Sequence, residues 1–167
     1  MTQEVKRSYL EINSIQDLEE VSKPSKDYSI NLLDPINFQL NKFFYKNIGK
    51  KHRWVDRLVW MESKWIDYVS DKKVKTYVFK HKDDLAGFFE LIFHYEKKEV
   101  EIAYFGLLEE YQNKKLGSYL LHEAIKKSFV NNINRVWVHT CTLDHKNALN
   151  NYIARGMKIF KTEKIII

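Results

Sequence analysis

The 167-residue chain has a single cysteine, Cys141, which leaves no partner for an intramolecular disulfide and suits a reducing compartment. No stretch approaches the roughly 18 to 20 consecutive apolar residues that a membrane-crossing helix requires. Met1 to Tyr9 carries charges where a signal peptide has an apolar run, so a cytoplasmic protein is expected. Only 2 Pro and 5 Gly occur, so each marks a specific point in the chain. Charge of one sign does not dominate either: 28 Lys and Arg against 22 Asp and Glu give +6, which favours an anionic ligand without demanding nucleic acid.

Aromatic residues are abundant, with 10 Phe, 10 Tyr and 4 Trp, and the 44% hydrophobic content supplies a core and excludes disorder as the main state. At this length one domain, residues 1–167, is expected.

Residue spacing divides the chain into elements. Arg7 to Ile12 reads as an opening strand, and Ser14 with Asp17 three residues on predicts a helix over Ser14 to Val21. Asp34 before Pro35 predicts an N-cap, followed by Ile36, Leu40, Phe43 and Phe44 at helical spacing and a stop at Gly49. Trp54, Leu58, Met61 and Trp65 fall at steps of four, three and four, which predicts another helix reaching about Ser70.

The period then changes. Val74 to Phe79, Leu85 to Tyr95 and Val100 to Leu107 read as strands joined by short turns, hence an antiparallel meander. Leu116, Leu120, Leu121, Ala124, Ile125 and Phe129 form the clearest helical stripe in the chain. Arg135 to Cys141 predicts a strand, Asn147 to Arg155 a short helix closed by Gly156, and Met157 to Ile167 a last strand. The class is α/β in the sense of an α+β mixed sheet covered by helices.

The loop between Leu107 and the long helix brings unpaired backbone N–H groups to a helix start, beside Lys114 and Lys115, with Gly117 permitting close approach. A phosphate or diphosphate suits such a place.

The run EIAYFGLLEEYQNKKLGSYLL, with Gln112, Gly117 and the apolar helix after it, resembles the acyl-CoA-binding motif of the GNAT superfamily of N-acetyltransferases. Lys115 stands where that motif usually has its middle glycine. Asn147, Ala148, Leu149, Tyr152, Gly156 and Met157 resemble the downstream signature, in the same order and separation. The resemblance covers about Val74 to Phe160. It implies a GNAT-like fold: a central, mostly antiparallel sheet of about six to seven strands flanked by helices and splayed between the fourth and fifth strands. It also implies that residues before about 70 shape an acceptor pocket, while about 74–160 bind acyl-CoA.

By that resemblance the cosubstrate is acetyl-CoA, with no metal. Gln112, Asn113, Lys114, Lys115, Leu116, Gly117 and Ser118 would hold the diphosphate, and Asn147 and Tyr152 would face the cofactor. A bulge around Phe105, Gly106 and Leu107 would expose strand backbone to the pantetheine amides and the thioester carbonyl.

An ammonium has no lone pair, so transfer to an amine needs a base. Glu101 lies eleven residues before Gln112, a position that resembles that of the catalytic glutamate in the histone-acetylating branch. Strand alternation sets it on the side of Ala103, Phe105 and Leu107, partly withdrawn from water. Glu90 is the second candidate, acting directly or through a water. Tyr152 is the candidate proton donor to the leaving thiolate.

Other readings compete. The chain as a non-catalytic acyl-CoA-binding module is one, and a basic nucleic-acid-binding protein using Lys50, Lys51, His52, Arg53 and Trp54 is another. His139 and Cys141 share a strand face as a thiolate and imidazole would, and Asp144 and His145 extend them to four metal-ligand types, without a zinc spacing. The plainer reading packs His139 in the acceptor lining and uses Asp144 as a helix cap. By the resemblance the acceptor would be a small-molecule or peptide amine, and no membrane role is expected. An apolar strand end at Lys164, Ile165, Ile166 and Ile167 would suit a homodimer.

Overall fold

Two-residue alternation drives most of this chain into strands, and side chains on opposite faces of one sheet then require a layer of helices on each side. The computed structural model describes residues 2–166. Its strands are β1 (Glu4–Ile12), β2 (Tyr28–Leu32), β3 (Val74–His81), β4 (Asp84–His94), β5 (Glu99–Leu107), β6 (Arg135–Cys141) and β7 (Lys158–Ile166). Its helices are α1 (Phe38–Gly49), α2 (Glu62–Ser70), α3 (Leu116–Ser128) and α4 (Ala148–Ala154). Met1 and Ile167 lie outside the described residues, so the expected strand end is seen only as far as Ile166.

The sheet runs in the order β2-β3-β4-β5-β6-β1-β7. All neighbours are antiparallel except β5 and β6, which pair in parallel only from Glu99 to Glu101 against Arg135 to Trp137. Past that short ladder the two strands diverge. This is the expected splay, for β5 and β6 are the fourth and fifth strands once β2 is left out of the count. β2 was not expected although Tyr28, Ile30 and Leu32 alternate with Ser29 and Asn31, because five residues, three half-buried and two exposed, give a short signal.

One face of the sheet carries Phe89, Leu91 and Phe93 against Leu120, Leu121 and Ala124 of α3. The other packs Val78 and Phe88 against Phe44 and Ile48 of α1, with the Phe44 and Phe88 rings stacked at 4.9 Å. α3 forms where its stripe predicts, and Lys126 and Lys127 in its last turn complement the helix dipole.

Three N-terminal expectations are corrected. Ser14 starts only a turn of 3-10 helix, Ile15–Asp17, because Glu19 N–H bonds instead to the Arg155 carbonyl at 3.0 Å and the chain stays extended. α1 is capped by Asn37, whose Oδ1 accepts from Leu40 N–H at 3.2 Å, and not by Asp34. Trp54 to Met61 is a series of turns, with helix only from Glu62. Leu58 and Met61 are 50% and 75% exposed, so their helical spacing with the tryptophans is coincidental. The physical reason is Arg57, which is buried in the middle of this segment and whose backbone N–H bonds to the Tyr45 hydroxyl at 3.0 Å.

Candidate active site

A β-bulge organises the site. Leu91 pairs with Ile102 and Glu90 with Tyr104, so Ala103 is the extra residue. One inserted residue reverses the faces of all side chains after it. Phe105 and Leu107 therefore point to the α3 core, whereas Tyr104 and Gly106 turn to the face of Glu90 and α1. This corrects two expectations: the bulge lies at Ala103 and not at Phe105 to Leu107, and Glu101 does not share a side with Phe105.

Along the splay runs a cleft of about 1220 Å³. Gln112, Asn113, Lys115, Leu116, Gly117 and Ser118 line one end. Gln112 Nε2 donates to the Leu107 carbonyl at 3.2 Å and closes the loop. Lys115, at the N-cap of α3, has φ 62 and ψ 19, a left-handed conformation, and no side chain caps the helix. That conformation explains why the resembling motif has glycine there. A Cβ built on Gly117 would find Asn151 Nδ2 at 3.7 Å and Leu107 Cδ1 at 4.0 Å, so the space before the first-turn amides is open. Lys114 lies outside the lining, with its ammonium 5.5 Å from the centre of the Tyr111 ring.

Phe105, Leu107, Asn147 and Tyr152 line the middle of the cleft. Tyr152 is buried, its ring 6.2 Å from that of Phe105. Burial, reinforced by Asp144, pushes its phenol up. Asp144 does not cap α4, as expected from sequence. It folds back to accept from the Thr140 hydroxyl and from Cys141 N–H, the latter at 3.2 Å.

At the far end Glu101 lines the cleft, 21% exposed at its side chain, with His94 Nε2 3.4 Å from its Oε1. Glu90 does not line the cleft: it is 1% exposed, and Arg57 Nη1 stands 3.0 Å from both of its oxygens. Burial pushes the Glu90 carboxyl up, against the pull of Arg57. Burial also opposes the guanidinium charge, but Glu90 and Tyr68 outweigh it and hold Arg57 above its ordinary value.

Arg57 itself faces the cleft, together with Trp60, Tyr68 and Tyr104. Its guanidinium carbon lies 4.2 Å from the Tyr68 ring centre, 4.5 Å from Tyr104 and 4.9 Å from Trp60. No local pattern in the sequence marks these residues as a group. Arg57 falls at the edge of the stripe that Trp54, Leu58, Met61 and Trp65 suggest, where an arginine reads as a solvated flank, and the strand partner that neutralises it is 33 residues away.

The remaining candidates are employed otherwise. Lys51 bonds to Glu109 at 2.6 Å, His52 Nδ1 lies 3.1 Å from the Leu143 carbonyl, and Trp54 packs against Gly49. His139 lines the cleft, its pKa lowered by burial and then by Arg7. Among the described residues no three His, Cys, Asp or Glu side chains are grouped to hold a metal, and no helix is long and apolar enough to cross a membrane.

The splayed sheet thus sets an uncapped helix start at one end of its cleft and a carboxylate at the other. A model of the acetyltransferase (GNAT) family matches residues 37–157, and the chain belongs to that family. No curated protein matches the chain. Among solved structures, a functionally unknown conserved protein from Staphylococcus epidermidis superposes with a TM-score of 0.67 at 18% identity, over 99% of this chain and 62% of that one. A GCN5-related N-acetyltransferase from Sphaerobacter thermophilus gives 0.73 at 10% identity, over 97% of this chain and 50% of that one. An acetyltransferase from Bacillus subtilis in complex with CoA gives 0.59 at 21% identity, over 80% of this chain and 78% of that one. At such identities the likeness is one of fold. The chain spans less than two thirds of the length of the first two.

Proposed function

We propose that the protein is an N-acetyltransferase that moves an acetyl group from acetyl-CoA to a primary amine of a small molecule or peptide by direct attack. In this reading residues 1–167 work as one domain, with those before about 70 shaping the acceptor side. The observation that carries it is the continuity of one cleft from the uncapped start of α3 to Glu101.

The open N–H groups of the first turn of α3 and the Lys115 ammonium bind the diphosphate, with Gln112, Asn113, Leu116, Gly117 and Ser118 shaping its seat and Lys114 adding field from outside. Backbone groups of β5 near Phe105 and Leu107, freed from β6 by the splay, pair with the pantetheine amides, and Asn147 faces the same chain from α4. Glu101 removes a proton from the bound ammonium, directly or through a water. The nitrogen lone pair then attacks the thioester carbon, and an N–H of β5 donates to the oxyanion that forms. When the C–S bond breaks, Tyr152 donates its phenolic hydrogen to the departing sulfur, and the second proton of the nitrogen, cationic since the attack, is released to restore the phenol. Burial keeps that phenol neutral, the form in which it can donate. No step needs a metal. Glu90, enclosed behind Arg57, is assigned to holding that arginine rather than to proton transfer.

Thiol release from acetyl-CoA across a panel of amines tests the reading. CoA-dependent thermal stabilisation with no thiol release for any amine would make the chain an acyl-CoA-binding module. Affinity for a nucleic acid that falls steeply with salt would point to the basic cluster instead.

A further inference from the structure

The acceptor end of the cleft contains a cation that the protein has already caged. Arg57 is 7% exposed, and besides Tyr68, Tyr104 and Trp60 its guanidinium carbon lies 5.6 Å from the centre of the Trp65 ring and 5.7 Å from that of Tyr45. The aromatic box is thus filled from within and is closed to a substrate ammonium. Nη1 serves Glu90 and Nη2 donates to the Tyr68 hydroxyl at 2.9 Å, which leaves Nε and the second Nη2 hydrogen without an acceptor among the described residues. Arg57 Nε is not among the buried side-chain atoms left unpartnered, so it opens on the cleft that Arg57 lines, where an oxygen of the occupant can accept from it.

The charge balance decides what kind of oxygen. Arg57 and Glu90 cancel as a pair, and the other acids at this end of the cleft are Asp56, Asp67 and Glu101. Two further cations line the cleft here among the described residues: Lys64, with its ammonium 4.8 Å from the Trp60 ring centre, and Arg7, whose Nη1 stands 3.8 Å from Glu163 on the β1–β7 seam. A carboxylate bound at Arg57 would add negative charge beside three carboxylates that these two cations do not outnumber. A neutral carbonyl takes the same hydrogen bonds without that cost.

We propose that Arg57 is the specificity-determining residue of the acceptor site and selects primary amines bearing a neutral carbonyl oxygen, such as an amino-acid amide or a peptide, over free amino acids and plain alkylamines. The proposal rests on acetyl transfer to an amine as set out above. Glu90 acts through Arg57 as a positioning residue: it orients the guanidinium and, by cancelling its charge, excludes acids.

The test compares L-phenylalaninamide, L-phenylalanine and phenethylamine as acceptors, with thiol-release rates expressed per unprotonated amine. The wild type is expected to favour the amide by about tenfold or more in kcat/KM over each of the others. Arg57→Lys, which lacks the planar fork that spans Glu90, Tyr68 and the cleft at once, should bring the amide-to-phenethylamine ratio close to one, chiefly through KM. Glu90→Gln leaves Arg57 uncompensated and should raise the acid-to-amide ratio by about tenfold or more, an inversion that loss of packing would not produce. Equal wild-type rates for amide and phenethylamine overturn the proposal even if both variants fail to fold. So does an acid-to-amide ratio unmoved in a folded Glu90→Gln protein. Thiol release with other amines but none of these three overturns this proposal alone, whereas no release with any amine removes the underlying function as well.

Discussion

Asn151 Nδ2 donates to the Gly117 carbonyl at 3.2 Å, which fastens the helix carrying Tyr152 to the first turn of the helix that receives the diphosphate. Two segments separated by 34 residues thereby hold a common distance across the cleft. Under the proposed function, the proton donor and the anion seat are positioned by one bond.

Glu101→Gln should lower kcat by about a hundredfold or more and leave the affinity for acetyl-CoA within a factor of about two. Steady-state kinetics and calorimetric titration measure the two quantities. An unchanged rate at neutral pH would pass the role of base to a water held elsewhere in the cleft.

For Tyr152→Phe the expected loss is about ten- to a hundredfold in kcat, with the melting temperature nearly retained because the ring still packs on Phe105. Wild-type turnover in this variant would remove the donor assignment.

Gly117→Ala should fold normally, since its Cβ makes only ordinary contacts at 3.7 and 4.0 Å. It should still weaken CoA binding, because that Cβ occupies the space through which a diphosphate reaches the backbone. Gly117→Val should abolish binding. Undiminished affinity in both variants would place the anion elsewhere.

Lys115→Gly releases a left-handed residue from strain and is expected to raise stability by up to about 1 kcal/mol. It also removes a cation from the anion seat, so CoA affinity should fall by about threefold at low salt and by less at high salt. Thermal melts and titrations at two ionic strengths separate the effects. A salt-independent loss would mean that the ammonium does not contact the phosphates.

Glu163 accepts from the Tyr9 hydroxyl at 2.7 Å across the β1–β7 seam, and this bond, with Lys161 and Arg7 nearby, holds its carboxyl below the ordinary range. A lowered folded-state pKa contributes stability that is present above about 4.3, the value of a free glutamate, and lost as the pH falls through the folded value. Glu163→Gln should therefore be less stable than wild type at neutral pH and show a flatter acid limb in melts taken from pH 7 to 3. Parallel acid limbs would remove the seam from the account.

Much of the site was readable from local order. Gln112, Gly117, Asn147 and Tyr152 stand in a contiguous loop and a short helix, so their identity and spacing carried the signal, and all four line the cleft. Lys114 did not, because a loop side chain can turn either way and this one went to Tyr111. Glu101 lines the cleft, but from the face opposite to the one that simple alternation predicts. The single residue inserted at Ala103 reverses the alternation, and no local pattern marks a bulge that depends on the partner strand. Glu90, the second candidate, is withdrawn from the cleft by Arg57, which closes over it from a segment 33 residues away.

By itself the sequence determined what depends on neighbours along the chain: the stripe of α3, the meander β3–β4–β5, the strand β6 and the loop that begins α3. Only the tertiary structure decided the insertion of β1 between β6 and β7, the phase of β5 after Ala103 and the enclosure of Arg57 by rings from α1, α2 and β5. The reason is physical: periodicity records how a residue's environment repeats over a few positions, while strand order, register and the pairing of a buried charge are set by contacts between segments far apart in the chain.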